Sequence, residues 1–311
     1  MKKISLLMIV ALFGATIITN GCFSRRQVAK ANAPAESEKK DDDSAFPARE
    51  EITKTFKLPA NATVGVYSID GLIDVTTSDS DQAEVHILRL ARTKDTFEKQ
   101  KAVIKFKDDE LKIYGNQRDR EIGIWDHVTG DDELRTRVTL KLPRKVEFHT
   151  WRVNGQINLG EIEGRVEVGN VNGKVLVAKA VGSANFNNIN GKVEAGIANL
   201  NKDGIEVHQI NGNVDLKFLD EANVNVEAHG LNGRVNAEVP NVKVERQERQ
   251  YYRATIGSGG PEIRVGRMNG NLNLLRAGQV AKSEKQIEPE ASTDANKKRV
   301  VEKIAKELHA R

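Results

Sequence analysis

Cysteine is used once in this chain of 311 residues, at Cys22. That excludes an intramolecular disulfide and a cysteine-based zinc site. Aromatic residues are scarce as well, at 5%. A chain poor in rings but rich in Val, Ile, Asn and Gly suits thin, repetitive β-structure better than a large α/β enzyme. Charge of one sign is also missing. The net charge is +4, with basic and acidic residues mixed along the chain, so there is no electrostatic footprint for nucleic acid. Gly-x-Ser-x-Gly is absent, and the lone cysteine lies near the N-terminus, so no serine- or cysteine-nucleophile signature is present. The one long apolar run, residues 4–18, falls short of the roughly 20 residues of a comfortable membrane span.

That run has a different use. Lys2 and Lys3 precede it, and Thr19-Asn20-Gly21-Cys22 follows it. A charged start, a short apolar stretch and a small residue at the cut make a secretory signal peptide over residues 1–21. With the only cysteine directly after Gly21, the segment resembles a bacterial lipoprotein signal, although Thr19 and Asn20 are uncommon at their places. The resemblance implies cleavage before Cys22 and lipidation there; ordinary secretion or an uncleaved anchor are the alternatives. Residues 22–49 are polar and charge-rich without apolar periodicity, which predicts a solvated tether.

From residue 50 alternation dominates. Residues 63–69 and 72–75 flank Asp70-Gly71, a hairpin-type turn signal. Further strands are expected at 84–90, 102–107, 110–114 and 136–142, with a polar loop or short helical turn at 94–100. A long charged loop spans residues 117–133.

Then a nine-residue beat begins: Gly155, Gly164, Gly173, Gly182 and Gly191 each open a G-x-φ-x-φ-x-x-φ-x unit, with φ apolar. A repeat this short cannot close a core alone and must stack on its neighbours. Asn precedes every second glycine, as Asn154-Gly155, Asn172-Gly173 and Asn190-Gly191, so the structural period is about 18 residues, two strands and two turns. Asn-Gly returns with looser spacing at Asn211-Gly212, Asn232-Gly233 and Asn269-Gly270. These twelve residues are the expected structural turns, with Asn-Gly supplying a positive-φ pair. Coils stacked in register would bring the asparagines into a side-chain amide ladder. The fold class is therefore all-β: a repeat β-solenoid, parallel β-helix or β-roll in type, with a short C-terminal helix. Residues 50–150 form an N-terminal β segment of that repeat domain and 151–277 the Asn-Gly repeat region. Residues 278–311 form a polar linker and a basic amphipathic helix, with an apolar stripe at Val300, Val301, Ile304, Ala305 and Leu308.

Candidate chemistry thins out on inspection. Gly257-Ser258-Gly259-Gly260 runs into Pro261 and a strand, where a phosphate cradle needs a helix N-terminus. The repeat lacks the turn aspartates of calcium-binding nonapeptide rolls. His208 and His229 each lie four residues before a corner glycine, so stacking is expected to bring them together, but no third ligand shares their phase. Trp125, Asp126, His127, Asp131 and Asp132 in the charged loop are the most chemically loaded stretch, and the weight of long charged loops favours simple solvation. No cofactor and no catalytic residue is expected.

Taken in order, Ser68-Ile69-Asp70-Gly71-Leu72-Ile73-Asp74-Val75, Leu140-Lys141-Leu142-Pro143, the serial Asn-Gly-x-Val/Ile units and Gly259-Gly260-Pro261-Glu262-Ile263 resemble a bacterial family of β-strand-repeat envelope proteins. This is the putative-adhesin family, a domain of unknown function. The resemblance covers about residues 50–275. It implies a β-solenoid-like fold at the cell envelope and transfers no catalytic residue. The expectation is a non-enzymatic, lipid-anchored envelope protein, with Lys174, Lys192, Asn213 and Arg234 turned toward a glycan or an envelope-protein partner and self-association possible. A carbohydrate-active enzyme on a β-helix, or a self-assembling scaffold, is the alternative.

Overall fold

A computed structural model describes residues 43–118, 133–219 and 222–277. The expected signal peptide and Cys22, the loop residues Trp125, Asp126, His127, Asp131 and Asp132, and the C-terminal helix lie outside these residues. Among the described residues no helix is long and apolar enough to cross a membrane.

The described chain is nearly all β. A single 3-10 turn at Asp43–Ala45 leads into β1 (Ala48–Lys57), β2 (Ala62–Ser78) and β3 (Gln82–Ala91). A five-residue helix, α1 (Asp95–Lys99), precedes β4 (Gln100–Lys107), β5 (Glu110–Arg118) and β6 (Leu134–Pro143). The long strands β7 (Val146–Ile162), β8 (Val166–Asn190) and β9 (Val193–Asn211) follow, then β10 (Val214–Phe218), β11 (Val224–Asn232) and β12 (Val235–Ala237). The last are β13 (Val242–Glu248), β14 (Tyr251–Ile256), β15 (Glu262–Asn269) and β16 (Leu272–Arg276). All sixteen belong to one sheet. Residues 43–49, expected at the end of a tether, already hold the first turn and strand, with Phe46 buried beneath the Arg135 guanidinium.

Pairing through the middle of the sheet is parallel and in register with the repeat. Asn154 pairs with Asn172, Gly155 with Gly173 and Ile157 with Val175. Strand β2, ahead of the nine-residue units, joins the same series, pairing with β7 from Ala62↔Val146 to Val75↔Leu159. The Asp70-Gly71 signal therefore does not make a hairpin. Both halves of the segment lie in β2, whose partners β5, β6 and β7 are all parallel to it. Gly71, at φ +140°, turns the strand at a corner without reversing it.

The corner also differs from the Asn-Gly reading. Positive φ falls on the glycine and on the residue three before it: Ser68, Arg152, Asn170, Asn188, Gln209 and Arg267 have φ between 51° and 61°. The asparagine of each pair stays extended. One left-handed residue breaks the two-residue alternation of a strand, which is why the apolar pattern steps by three across this corner. The twelve apolar positions of the units opened by Gly155, Gly164, Gly173 and Gly182 are all buried. Each Val, Leu, Ile and Phe among them contributes roughly 1.5–3 kcal/mol, and Ala180 and Ala184 less, so the stacked strands stabilise one another.

Spatial order departs from chain order at the end. Strand β15 lies between β9 and β11, and β16 between β10 and β12. The chain lays down β11 and β12, turns back through the antiparallel hairpin β13–β14, and then fills the gap left below. The asparagines follow the same order. Asn172 Nδ2 donates to Asn154 Oδ1 at 3.0 Å, Asn190 to Asn172 at 3.2 Å, and Asn211 to Asn190 at 3.0 Å. Asn269 then donates to Asn211 and Asn232 to Asn269, both at 3.0 Å. Asn190 sits mid-ladder and makes two of these exposed bonds. At about 0.5–1 kcal/mol each, Asn190→Ala is expected to lower unfolding stability by about 1–2 kcal/mol in a urea titration; an unmoved midpoint would show the ladder to be passive.

Candidate functional site

Because equivalent residues pair from strand to strand, outward side chains line up in rows across the sheet. The row four residues before each corner glycine carries most of the exposed rings. Tyr114 of β5 pairs with Tyr67 of β2, Tyr67 with Trp151 of β7, and Trp151 with Gly169 of β8. Farther on, Asn187 pairs with His208, His208 with Gly266, Gly266 with His229, and His229 with Tyr251.

The glycines in and beside this row let the rings approach the backbone closely. A Cβ at Gly169 would overlap the six-membered ring of Trp151, and one at Gly65 would overlap the Tyr67 ring. Tyr67 and Tyr114 stack with centroids 5.1 Å apart at 24°. Trp151 remains 41% exposed with its indole laid across the neighbouring strand, a large apolar group left at the surface. Burial and the Glu110 carboxylate raise the Tyr67 hydroxyl above the ordinary phenol range, so it stays a hydrogen-bond donor. At the far end His229 meets Tyr251 edge-on at 4.7 Å. The His229 ring and the Tyr251 hydroxyl both bond Glu227 and hold its carboxyl below the usual range.

Charged groups flank the rings and are largely paired among themselves. Lys112 reaches Glu110 at 2.6 Å, Arg165 reaches Glu167 at 2.5 Å, and His149 Nδ1 lies 3.1 Å from Glu167. Farther along, Arg264 bridges Glu262 at 2.6 Å and Glu206 at 3.4 Å.

Lys174, Lys192, Asn213 and Arg234 also fall into one row, joined by Asn271, on the other half of the repeat. Lys192 is not simply turned outward. It is bound to Asp215 at 2.9 Å and Glu194 at 3.2 Å, and Asp215 is buried, accepting a 2.6 Å bond from Asn273. Burial works against the Lys192 ammonium, but the two carboxylates outweigh it and raise its pKa. Glu194 is held low, burial being outweighed by Lys217 and Lys192. Asn213 likewise bonds the Asn271 backbone N–H at 2.9 Å. This patch ties strands together.

His208 and His229, expected as neighbours, are not adjacent: β15 runs between them, placing Gly266 in the gap. Among the described residues no three His, Cys, Asp or Glu side chains gather as a metal site. Sequence reasoning located the repeat but missed the ring row. Reading four positions back from each corner glycine gives Tyr67, Trp151, Gly169, Asn187, His208 and His229 directly.

No family model and no curated protein matches this chain. Among solved structures, a putative cell adhesion protein from Clostridium sporogenes aligns at 13% identity and a TM-score of 0.37, over 74% of this chain and 100% of that one. A putative lipid binding protein from Parabacteroides distasonis aligns at 10% identity and a TM-score of 0.20, over 74% and 95%. A putative adhesin from Bacteroides fragilis aligns at 14% identity and a TM-score of 0.26, over 74% and 98%. Putative adhesins from Parabacteroides distasonis and Parabacteroides merdae align likewise, at 9% and 12% identity and TM-scores of 0.26 and 0.22.

Proposed function

We propose that this chain is a non-enzymatic, lipid-anchored cell-envelope protein whose adhesin-like domain is a β-solenoid of about 18 residues per coil that presents a binding surface. The observation that carries the reading is the register. Asn154↔Asn172 and its equivalents repeat outward side chains at a fixed spacing, so any contact made by one coil recurs on the next. A surface of that kind suits an extended partner, because weak contacts repeated along one molecule multiply in effect. The single cysteine directly after Gly21 supplies the anchor, and the polar residues that follow supply reach from the membrane.

Anchoring is tested by labelling expressing bacteria with a radioactive fatty acid. The wild-type chain is expected to carry the label and to sediment with membranes, and Cys22→Ala to lose both. Label retained by Cys22→Ala would remove the anchor. Binding without chemistry is tested by applying the purified full-length chain in detergent to immobilised glycans and envelope proteins and assaying each bound partner for cleavage. Turnover of a bound glycan would move the reading to an enzyme.

A further inference from the structure

We propose that the strip formed by Tyr114, Tyr67 and Trp151 binds an uncharged polysaccharide laid across strands β5, β2, β7 and β8. This rests on the surface-binding reading above and names the ligand class and its place. Three features of the strip select that class.

The first is the shape of the rings' setting. The three aromatic residues occupy register-paired positions on adjacent strands, which lie about 4.8 Å apart, and so form a narrow line running across the strands. Gly169 lets the Trp151 indole lie across the neighbouring strand, while Tyr67 and Tyr114 stack on each other beside it. The exposed indole offers an electron-rich face that suits the C–H bonds on the apolar side of a sugar ring, and the Tyr67–Tyr114 stack continues the apolar line. A protein partner fits less well, since stable protein interfaces need a broad packed patch of about 800 Å² a side, and here the apolar surface is one side chain wide.

The second is what borders the line. A sugar ring stacked on an aromatic face turns its hydroxyls sideways, where they need donors and acceptors. Lys112, His149 and Glu167 run beside the rings two residues back along the same strands. The Tyr67 hydroxyl, kept protonated, adds a donor within the line.

The third is charge. Glu110, Glu147 and Glu167 are set beside Lys112, Arg165 and His149, and Lys105 lies over the Tyr114 ring at 6.0 Å. The signs nearly balance, and Lys112–Glu110, Arg165–Glu167 and His149–Glu167 are already paired. A polyanion would have to break those pairs and would meet three carboxylates, so the strip favours a neutral chain.

The test uses the full-length chain in detergent with Trp125→Phe, which leaves Trp151 as the only tryptophan. Soluble neutral β-glucan and glucomannan are compared with polygalacturonate by affinity electrophoresis and by indole emission. The neutral polymers are expected to retard the protein and shift its emission. Trp151→Ala, read by electrophoresis alone, is expected to weaken binding about tenfold or more, as for a central aromatic contact. Gly169→Ala keeps the tryptophan but displaces its ring, and is expected to weaken binding in the same direction. Both variants are checked for an unchanged thermal melt. Neutral binding that survives Trp151→Ala overturns the site while leaving the surface-binding reading standing. Tighter binding of polygalacturonate, or binding of neither class, overturns the ligand assignment; attachment of the protein to envelope partners then decides the broader reading separately.

Discussion

Valine at Gly173 is expected to unfold the protein or to cost it about 2–6 kcal/mol, the sum of backbone strain and overpacking at one position. Gly173 occupies a corner at φ +149°, a region closed to side chains. The same corner is stacked directly on Gly155, with Gly191 stacked on Gly173 in turn. A Cβ at Gly173 would fall 2.7 Å from the Gly155 carbonyl carbon and closer still to its oxygen. Neither layer can yield easily. Asn172 is tied to Asn154 at 3.0 Å and Asn190 to Asn172 at 3.2 Å, and Ile157 and Val175, two residues past the corner, are fully buried. Since domains hold only about 5–15 kcal/mol in total, a loss of this size removes much of the fold's margin. Gly160→Ala is the control: its Cβ would lie 3.1 Å from the Val75 carbonyl oxygen, and its φ lies outside the left-handed region. That variant is expected to cost about 1 kcal/mol, the scale of mild overpacking. Urea unfolding followed by circular dichroism separates the two. Equal midpoints for Gly173→Val and Gly160→Ala would mean that the stacked corners do not limit the fold.

The same corners explain what could be read from the sequence and what could not. Spacing alone located the strands of 155–191 and their buried positions, because alternation and the step of three are local consequences of one left-handed residue per corner. Asp70-Gly71 misled because the dipeptide that closes a tight hairpin also turns a strand at a corner. The choice is made by the partner strand, β7, which lies far along the chain. The placement of β15 and β16 was beyond reach for a related reason. All the Asn-Gly corners present the same amide and the same bare glycine, so nothing local tells Asn269 to stack on Asn211 ahead of Asn232. That misplaced His208 and His229 as neighbours. The ring row, by contrast, was legible in part: Tyr67, Trp151, His208 and His229 keep the phase of the corner glycines, while Tyr114 and Tyr251 join it only through the pairing of β5 with β2 and of β14 with β11.

Glu50→Ala is expected to cost about 3–5 kcal/mol, the penalty for stranding a buried charge, and more than removal of the charge itself. Glu50 of β1 pairs with Arg89 of β3, and the Arg89 side chain is 1% exposed while that of Glu50 is 36% exposed. Arg89 donates Nη1 to Glu50 and Nη2 to the Gln100 carbonyl, and its Nε has no hydrogen-bond partner. The guanidinium also lies 5.1 Å from the Phe97 ring centroid, beside a small cluster of Ala48, Ala91, Phe97 and Leu134. Arginine cannot shed its proton to escape such a site. Without Glu50 the cation keeps one carbonyl and a ring face. In Arg89→Met the charge is gone, the methionine fills most of the stem's volume, and Glu50 turns to solvent. The double variant Glu50→Ala/Arg89→Met is therefore expected to be more stable than Glu50→Ala alone, a coupling a double-mutant cycle reads directly. If the double variant is instead the least stable of the three, the pair acts through packing, and the charge on Arg89 is already satisfied by Gln100 and Phe97.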